Sequence, residues 1–386
     1  MFTEEIRKHL VNDLIPFWDR LRDDEYGGFY GFMDADLVLD KKAKKGGILN
    51  SRILWFFSNA YLLLKDERCL RDAKQAYEIL RDAFTDKEYG GIYWSVTYDG
   101  KPADDQKHAY NTAFAIYGLS SYYDASKDPE ALQLAMTLFH AVEEKMRDEG
   151  GYLESFCRDF GPLENEKLSE HGVNAERTMN TLLHMLEAYT ELYRVSHDPE
   201  VGAHIREMLD IVHDKVYNAE KRRQECFFDL EYHSLVDLHS YGHDIEASWL
   251  VERTLEILSE QKYTDKILPI LHAVRDCTLE QGFSGEYLYN ECEREDDKTA
   301  VWWVQAETIV ALVNAYEKSG EEAYLRKAEK VWEFVKKYLI NFEAGGEWHS
   351  ETDPDGTDHK RPMVSLWKCP YPNGRMCMEV LKRLER

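Results

Sequence analysis

His184 and His243 are the residues best placed to move a proton in this 386-residue sequence. Segment 178–195 sets Met179, Leu182, Leu183, Leu186, Tyr189 and Tyr193 in one apolar stripe, while Asn180, His184 and Glu187 share another helical face. On a surface helix that polar face is merely solvated; on a helix covered on both sides it lines a cavity. His239 to Trp249 repeats the arrangement. Ser240 and Gly242 suit the start of a helix, which places His243 in the first turn and Glu246 one turn on. A helix N-terminus disfavours imidazolium and a neighbouring carboxylate favours it, so together they hold an imidazole near neutrality and orient it, as a general base requires. A capping histidine and a His-x-x-Glu metal pair are the competing readings. A metal needs further convergent carboxylates, which the sequence does not identify, so none is expected.

Arg52 stands at the head of the strongly apolar run Ile53-Leu-Trp-Phe-Phe57. A cation there is either an ion-pair partner or a group facing a polar cavity. Trp302, Trp303 and Trp367 lie in otherwise polar contexts, where indole faces suit the apolar face and polar rim of a sugar ring; the plainer reading is core packing.

The elements that must position these residues repeat. Six Gly/aromatic segments begin at Tyr26, Tyr89, Gly150, Cys226, Gly282 and Gly345, spaced 63, 61, 76, 56 and 63 residues apart. Several continue as a short hairpin pattern, as at Tyr93 to Gly100 and Trp348 to Gly356. Between them apolar residues recur at helical spacing over 53–64, 73–83, 109–123, 131–146, 178–195, 201–216, 244–258, 301–316 and 324–338. Two helices fit each repeat, and a unit that cannot bury its own face must pack on its neighbours. The fold expected is all-α, an (α/α)6 barrel of six helical hairpins with short β-hairpin loops, formed by a single domain over residues 1–386. An open solenoid is the alternative.

Composition excludes several functions. With 48 Lys and Arg against 73 Asp and Glu the chain carries a net charge of −25, and no basic stripe is present to neutralise nucleic-acid phosphates or anionic membranes. Hydrophobic residues at 44% and aromatics at 13% exclude a disordered chain. The first residues mix charges with apolar positions, unlike a signal peptide, and no run spans a bilayer. Seven scattered cysteines without a Cys-x-x-Cys pair fit a reduced, cytoplasmic protein. Phosphate-binding loops, His-Glu-x-x-His and Gly-x-Ser-x-Gly are absent, which disfavours nucleotide cofactors and serine hydrolysis.

The runs Ser51 to Tyr61, Lys107 to Tyr117, His239 to Leu250, Val301 to Glu307 and Trp367-Lys-Cys-Pro-Tyr-Pro-Asn-Gly-Arg-Met376 resemble the N-acylglucosamine 2-epimerase superfamily, and within it the cellobiose 2-epimerases, over essentially the whole chain. The resemblance implies an (α/α)6 barrel and a cofactor-free enzyme that interconverts glucose and mannose configurations at the reducing-end C2 of β-1,4-linked disaccharides such as cellobiose or lactose. It implies that His243 is an acid/base with Glu246 as its orienting partner, and that His184 and Arg52 stabilise oxygen anions. Tyr110 and Asn180 contact the sugar, with Trp303 and Trp367 as stacking platforms. A monomer is expected, with no nucleic-acid or membrane partner.

The resembled motif carries a second acid/base histidine where this chain has Pro372. Proline has no titratable group and removes a backbone donor. Three readings follow: His349 or His359 substitutes, His243 acts alone through a water, or the chain binds sugar without turning it over. An aldose–ketose isomerase and an inverting glycoside hydrolase, the latter needing two carboxylates ~6.5–9.5 Å apart, complete the alternatives.

Overall fold

The computed structural model describes residues 2–168 and 171–385. Among them twelve helices pack in six pairs: α1 (2–19), α2 (Gly47–Leu64), α3 (67–84), α4 (Ala109–Ser126), α5 (Pro129–Lys145), α6 (Met179–Ser196), α7 (199–216), α8 (Tyr241–Leu258), α9 (Gln261–Gly282), α10 (Trp302–Ser319), α11 (322–339) and α12 (Tyr371–Leu384). Helices α1, α3, α7 and α11 each contain a five-residue π segment. Even-numbered helices pack on one another in order from α2 to α12, and α12 packs on α2, which closes the ring. Each odd-numbered helix lies outside its even-numbered mate, with α1 against α12. This is the (α/α)6 barrel expected from the repeat, and ring closure excludes the solenoid.

Composition explains which helices go inside. In α2 every residue from Gly47 to Ala60 is buried, as a helix apolar on all sides requires. In the Glu67–Ile79 part of α3 burial is confined to Cys69, Asp72, Ala73, Ala76, Tyr77 and Ile79, a single stripe. Inner helices hand over to outer ones through tight turns of one form. Lys65, Lys127, His197, Ser259 and Gly320 each take a left-handed conformation, φ between 54° and 73°, and return their N–H to a carbonyl four residues back. Asp66, Asp128 and Asp198 then cap the next helix.

The links from outer to inner helices are long and lie at the other end of the barrel. Hairpins form within them, as at Ser95–Val96 with Pro102–Asp104. Strands also pair between neighbouring links, which the sequence did not suggest. Lys45–Gly46 pairs with Ser95–Val96, Lys107–His108 with Ser155–Phe156, Arg177–Thr178 with Phe227–Phe228, His239–Ser240 with Glu291–Cys292, and Ala300–Val301 with Glu351–Thr352. A bridge between Met33 and Val364 joins the last link to the first. This girdle fixes where each inner helix begins.

Helices α1, α9 and α12 lie outside the nine periodic stretches. Pro269 lies inside α9, and Pro370, Pro372 and Gly374 make the start of α12 resemble a loop, although proline is compatible with the first helical turn. Among the described residues no helix is long and apolar enough to cross a membrane.

Candidate active site

The N-terminal ends of the six inner helices meet at a cavity of about 800 Å³, within the ~300–1,000 Å³ of small-molecule sites. Arg52, Tyr110, Asn180, His184, His243, Glu246, Trp303 and Trp367 all line it, together with Pro372. The barrel thus gathers every proposed site residue, drawn from five inner helices and the link before α12. Counting from the first residue of each helix, Arg52, His184, Glu246 and Glu307 each stand sixth, in α2, α6, α8 and α10. They form one polar layer across the ring. Six helix N-termini at one end also favour negative charge that develops there.

The two histidines differ in their surroundings. His184 Nδ1 donates to Glu187 Oε2 at 2.9 Å, and its Nε2 lies 4.0 Å from Glu246 Oε2, so this ring is held between two carboxylates. His243 has no such partner. Its Nδ1 lies 2.7 Å from Ser240 Oγ and its ring packs 4.8 Å from that of Trp303. Burial, and then the neighbouring His184, push its pKa down to about 3, so it is a neutral imidazole across the physiological range. With Nδ1 engaged, Nε2 is the nitrogen left for the cavity.

Glu246 does not orient His243 as expected. Its Oε1 accepts from Arg375 Nη2 at 2.5 Å, drawn towards α12. Arg375 is buried and also meets Glu187 Oε1 at 2.5 Å, Glu307 Oε1 at 2.7 Å and the Tyr371 hydroxyl. One guanidinium therefore serves three carboxylates from α6, α8 and α10. Burial raises Glu187, but Arg375 and the hydrogen-bonded His184 outweigh it and hold the carboxyl down at about 2. Burial and the charge of Glu307 push Glu246 up, and burial pushes Glu307 up against the pull of Arg375.

Arg52 lies with its guanidinium 4.0 Å from the Phe114 ring centre and donates from Nη2 to the Tyr110 hydroxyl at 2.8 Å. Its Nη1 reaches the Trp367 carbonyl at 3.4 Å, tying α2 to the segment before α12. Among the described residues Asn180 Oδ1 has no hydrogen-bond partner, an open acceptor beside the cavity. Trp367 is 39% exposed and lies 5.9 Å from the Tyr110 ring, a face open to a ligand.

Neither proposed histidine substitute reaches the cavity lining. His349 pairs with Asp358 at 3.2 Å, and His359 is held between Glu351 and Asp353 at 3.0 Å each. Ser240, Glu307 and Arg375 were not singled out from the sequence. Glu307 and Arg375 carry one legible signal, a charge within an otherwise buried helix. Ser240 reads only as a helix start.

Ser240→Ala removes the contact to Nδ1 and frees the ring to rotate. A neutral hydrogen bond contributes about 0.5–1.5 kcal/mol, so kcat is expected to fall about tenfold with KM nearly unchanged. Steady-state kinetics decide; a raised KM at constant kcat identifies Ser240 as a substrate contact instead.

The profile of the N-acylglucosamine 2-epimerase (GlcNAc 2-epimerase) family matches residues 22–368. The chain is 49% identical over 389 residues to a cellobiose 2-epimerase of Ruminococcus albus, with 99% of each chain covered. A solved sugar epimerase from a ruminal bacterium superposes with a TM-score of 0.98 at 47% identity, covering 100% of this chain and 99% of that one. The cellobiose 2-epimerase of Bacillus thermoamylovorans B4167 does so with a TM-score of 0.95 at 42% identity, with 99% of each covered.

Proposed function

The chain belongs to the N-acylglucosamine 2-epimerase family, and from that premise we propose that it is a cellobiose 2-epimerase, an enzyme acting on the reducing-end C2 of β-1,4-linked disaccharides. The observation that carries the reading is the cavity-lining His243, a neutral imidazole held through Nδ1 with Nε2 free, in the same cavity as the Arg52 guanidinium. The reading takes the tautomer in which Nδ1–H donates to Ser240 Oγ, which leaves the lone pair on Nε2. After the sugar ring opens, Nε2 removes the C2 proton, which the adjacent C1 carbonyl acidifies. Arg52 and His184 stabilise the charge that grows on the oxygens of the cis-enediolate. Rotation about C2–C3 turns the other face, and reprotonation gives the epimer. Tyr110 and Asn180 hold sugar hydroxyls, and Trp303 and Trp367 cover ring faces.

This chemistry needs only imidazole and fixed charges, so the reading includes no cofactor. A cytoplasmic location fits seven cysteines, none paired with another. We read the working unit as a monomer.

Incubation with cellobiose in D2O, followed by NMR and anion-exchange chromatography, tests the function. Glucosyl-mannose carrying deuterium at C2 is expected. A fructose-ended product identifies an aldose–ketose isomerase, free glucose a hydrolase, and binding without any product a sugar-binding protein.

The base must be neutral to act, and burial lowers its pKa, so activity persists as pH falls through the usual histidine range near 6.5. The acid limb of kcat/KM is expected below pH 6. A midpoint at 6.5 contradicts the assignment of His243 as the base.

A further inference from the structure

Inversion at C2 requires that a proton leave one face of the carbon and arrive on the other, and among the described residues the cavity's imidazoles lie on one side only. His184 and His243 stand on adjacent helices, α6 and α8. Across the ring from α8 are α2 and its neighbours α12 and α4. Their cavity-lining groups are Arg52, Pro372, Tyr371 and Tyr110, and the link before α12 adds Lys368, committed to Glu347, and Glu351, committed to His359 and Arg361. Arg52 is a permanent cation, and Pro372 bears no proton-carrying atom. The Tyr371 hydroxyl is engaged by Glu187 and Arg375. The Tyr110 hydroxyl accepts from Arg52 and is pushed up to about 12 by burial. None of these groups takes a proton from carbon near neutral pH.

Resting on the epimerase reading above, we propose that this is a one-base epimerase: His243 Nε2 removes the C2 proton, exchanges it with solvent and delivers a proton back to C2, serving both faces of the enediolate in turn. The Nε2 lone pair takes the proton, the C2–H pair becomes the C1–C2 double bond, and the carbonyl pair moves to O1. Arg52 holds that oxygen on the far side. Rotation about C2–C3 then brings the opposite face towards α8. The O1 pair re-forms the carbonyl, the double-bond pair takes the proton from Nε2, and His243 is neutral again. His184, with Nδ1 committed to Glu187, remains an electrostatic partner rather than a carrier to carbon.

Exchange at C2 in D2O distinguishes one base from two when each epimer is assayed separately, cellobiose in one tube and glucosyl-mannose in the other. A second base keeps exchanging the epimer it faces after the first is removed. A sole base does not. In the wild type both sugars are expected to exchange and interconvert. In His243→Asn, C2 exchange of both is expected to fall at least about 10³-fold, at the upper part of the range for removing a proton carrier. Exchange of either sugar surviving above that level, with no epimer formed, overturns the one-base proposal and identifies a second carrier, with His184 the first to test. A wild type that neither exchanges nor epimerises overturns the epimerase reading itself, and this proposal with it. Circular-dichroism melting verifies that the variant folds, and His243→Gln replaces it if the asparagine variant does not.

Discussion

Replacing Arg375 with methionine is expected to lower stability by about 3–5 kcal/mol, because it strands Glu187, Glu246 and Glu307 in the barrel interior with their shared cation gone. For a chain of this size that corresponds to a fall in Tm of roughly 4–6 °C. The loss should depend on pH in a defined sense. In the variant the three carboxyls have folded pKa values raised above their unfolded ones, so their stabilising contribution is present at low pH and lost as pH rises through the folded values. The deficit relative to wild type therefore shrinks between pH 8 and pH 5. Arg375→Lys keeps the charge but not the planar fork that reaches three partners, and should lie between the two. Differential scanning calorimetry across that pH range decides. A deficit that does not vary with pH would mean that Arg375 acts through packing on Trp249, 4.9 Å from its ring centre, and not through charge.

His243→Asn is expected to lower kcat/KM by at least about 10³-fold, near 4 kcal/mol, while a disaccharide still binds. Among the described residues the side chain's contacts are the Ser240 hydroxyl and the Trp303 ring, with His184 nearby, so melting should shift little. Binding by isothermal titration with cellobiose, alongside initial rates, separates the two effects. A matching loss of affinity would assign His243 to substrate holding. Arg52 offers the contrast, because its removal breaks the ties to Tyr110 and Trp367 and should weaken binding and rate together.

The barrel was legible because its repeat is periodic in two senses: the Gly/aromatic links recur, and apolar residues recur between them. The helix that contains Pro269 and the one that begins at Tyr371 escaped because their proline and glycine content imitates a loop. The site was legible residue by residue, since a histidine or arginine within a buried helix is conspicuous. Its pairings were not. His243 and Glu246 are neighbours on one helical face, yet the carboxylate turns to an arginine 129 residues further along the chain. No local rule could have placed Arg375 there. The contact of Ser240 with His243 spans only three residues and still went unread, because a serine at that point already has an ordinary explanation as a helix start.

The pairing of α1 with α12 has a consequence for how the molecule is made. Five helix pairs are built from consecutive segments and can assemble as the chain leaves the ribosome. The sixth joins residues 2–19 to residues 371–384, and the bridge from Met33 to Val364 spans nearly the same interval. At ordinary rates of translation the first helix waits on the order of tens of seconds for its mate. Throughout that interval Ile6, Leu10, Leu14 and Trp18, all buried in the finished ring, remain open to solvent. Slow synthesis or a stalled ribosome should therefore leave an early chain with a sticky N-terminal helix, and the demand for chaperone protection falls on that segment before any other.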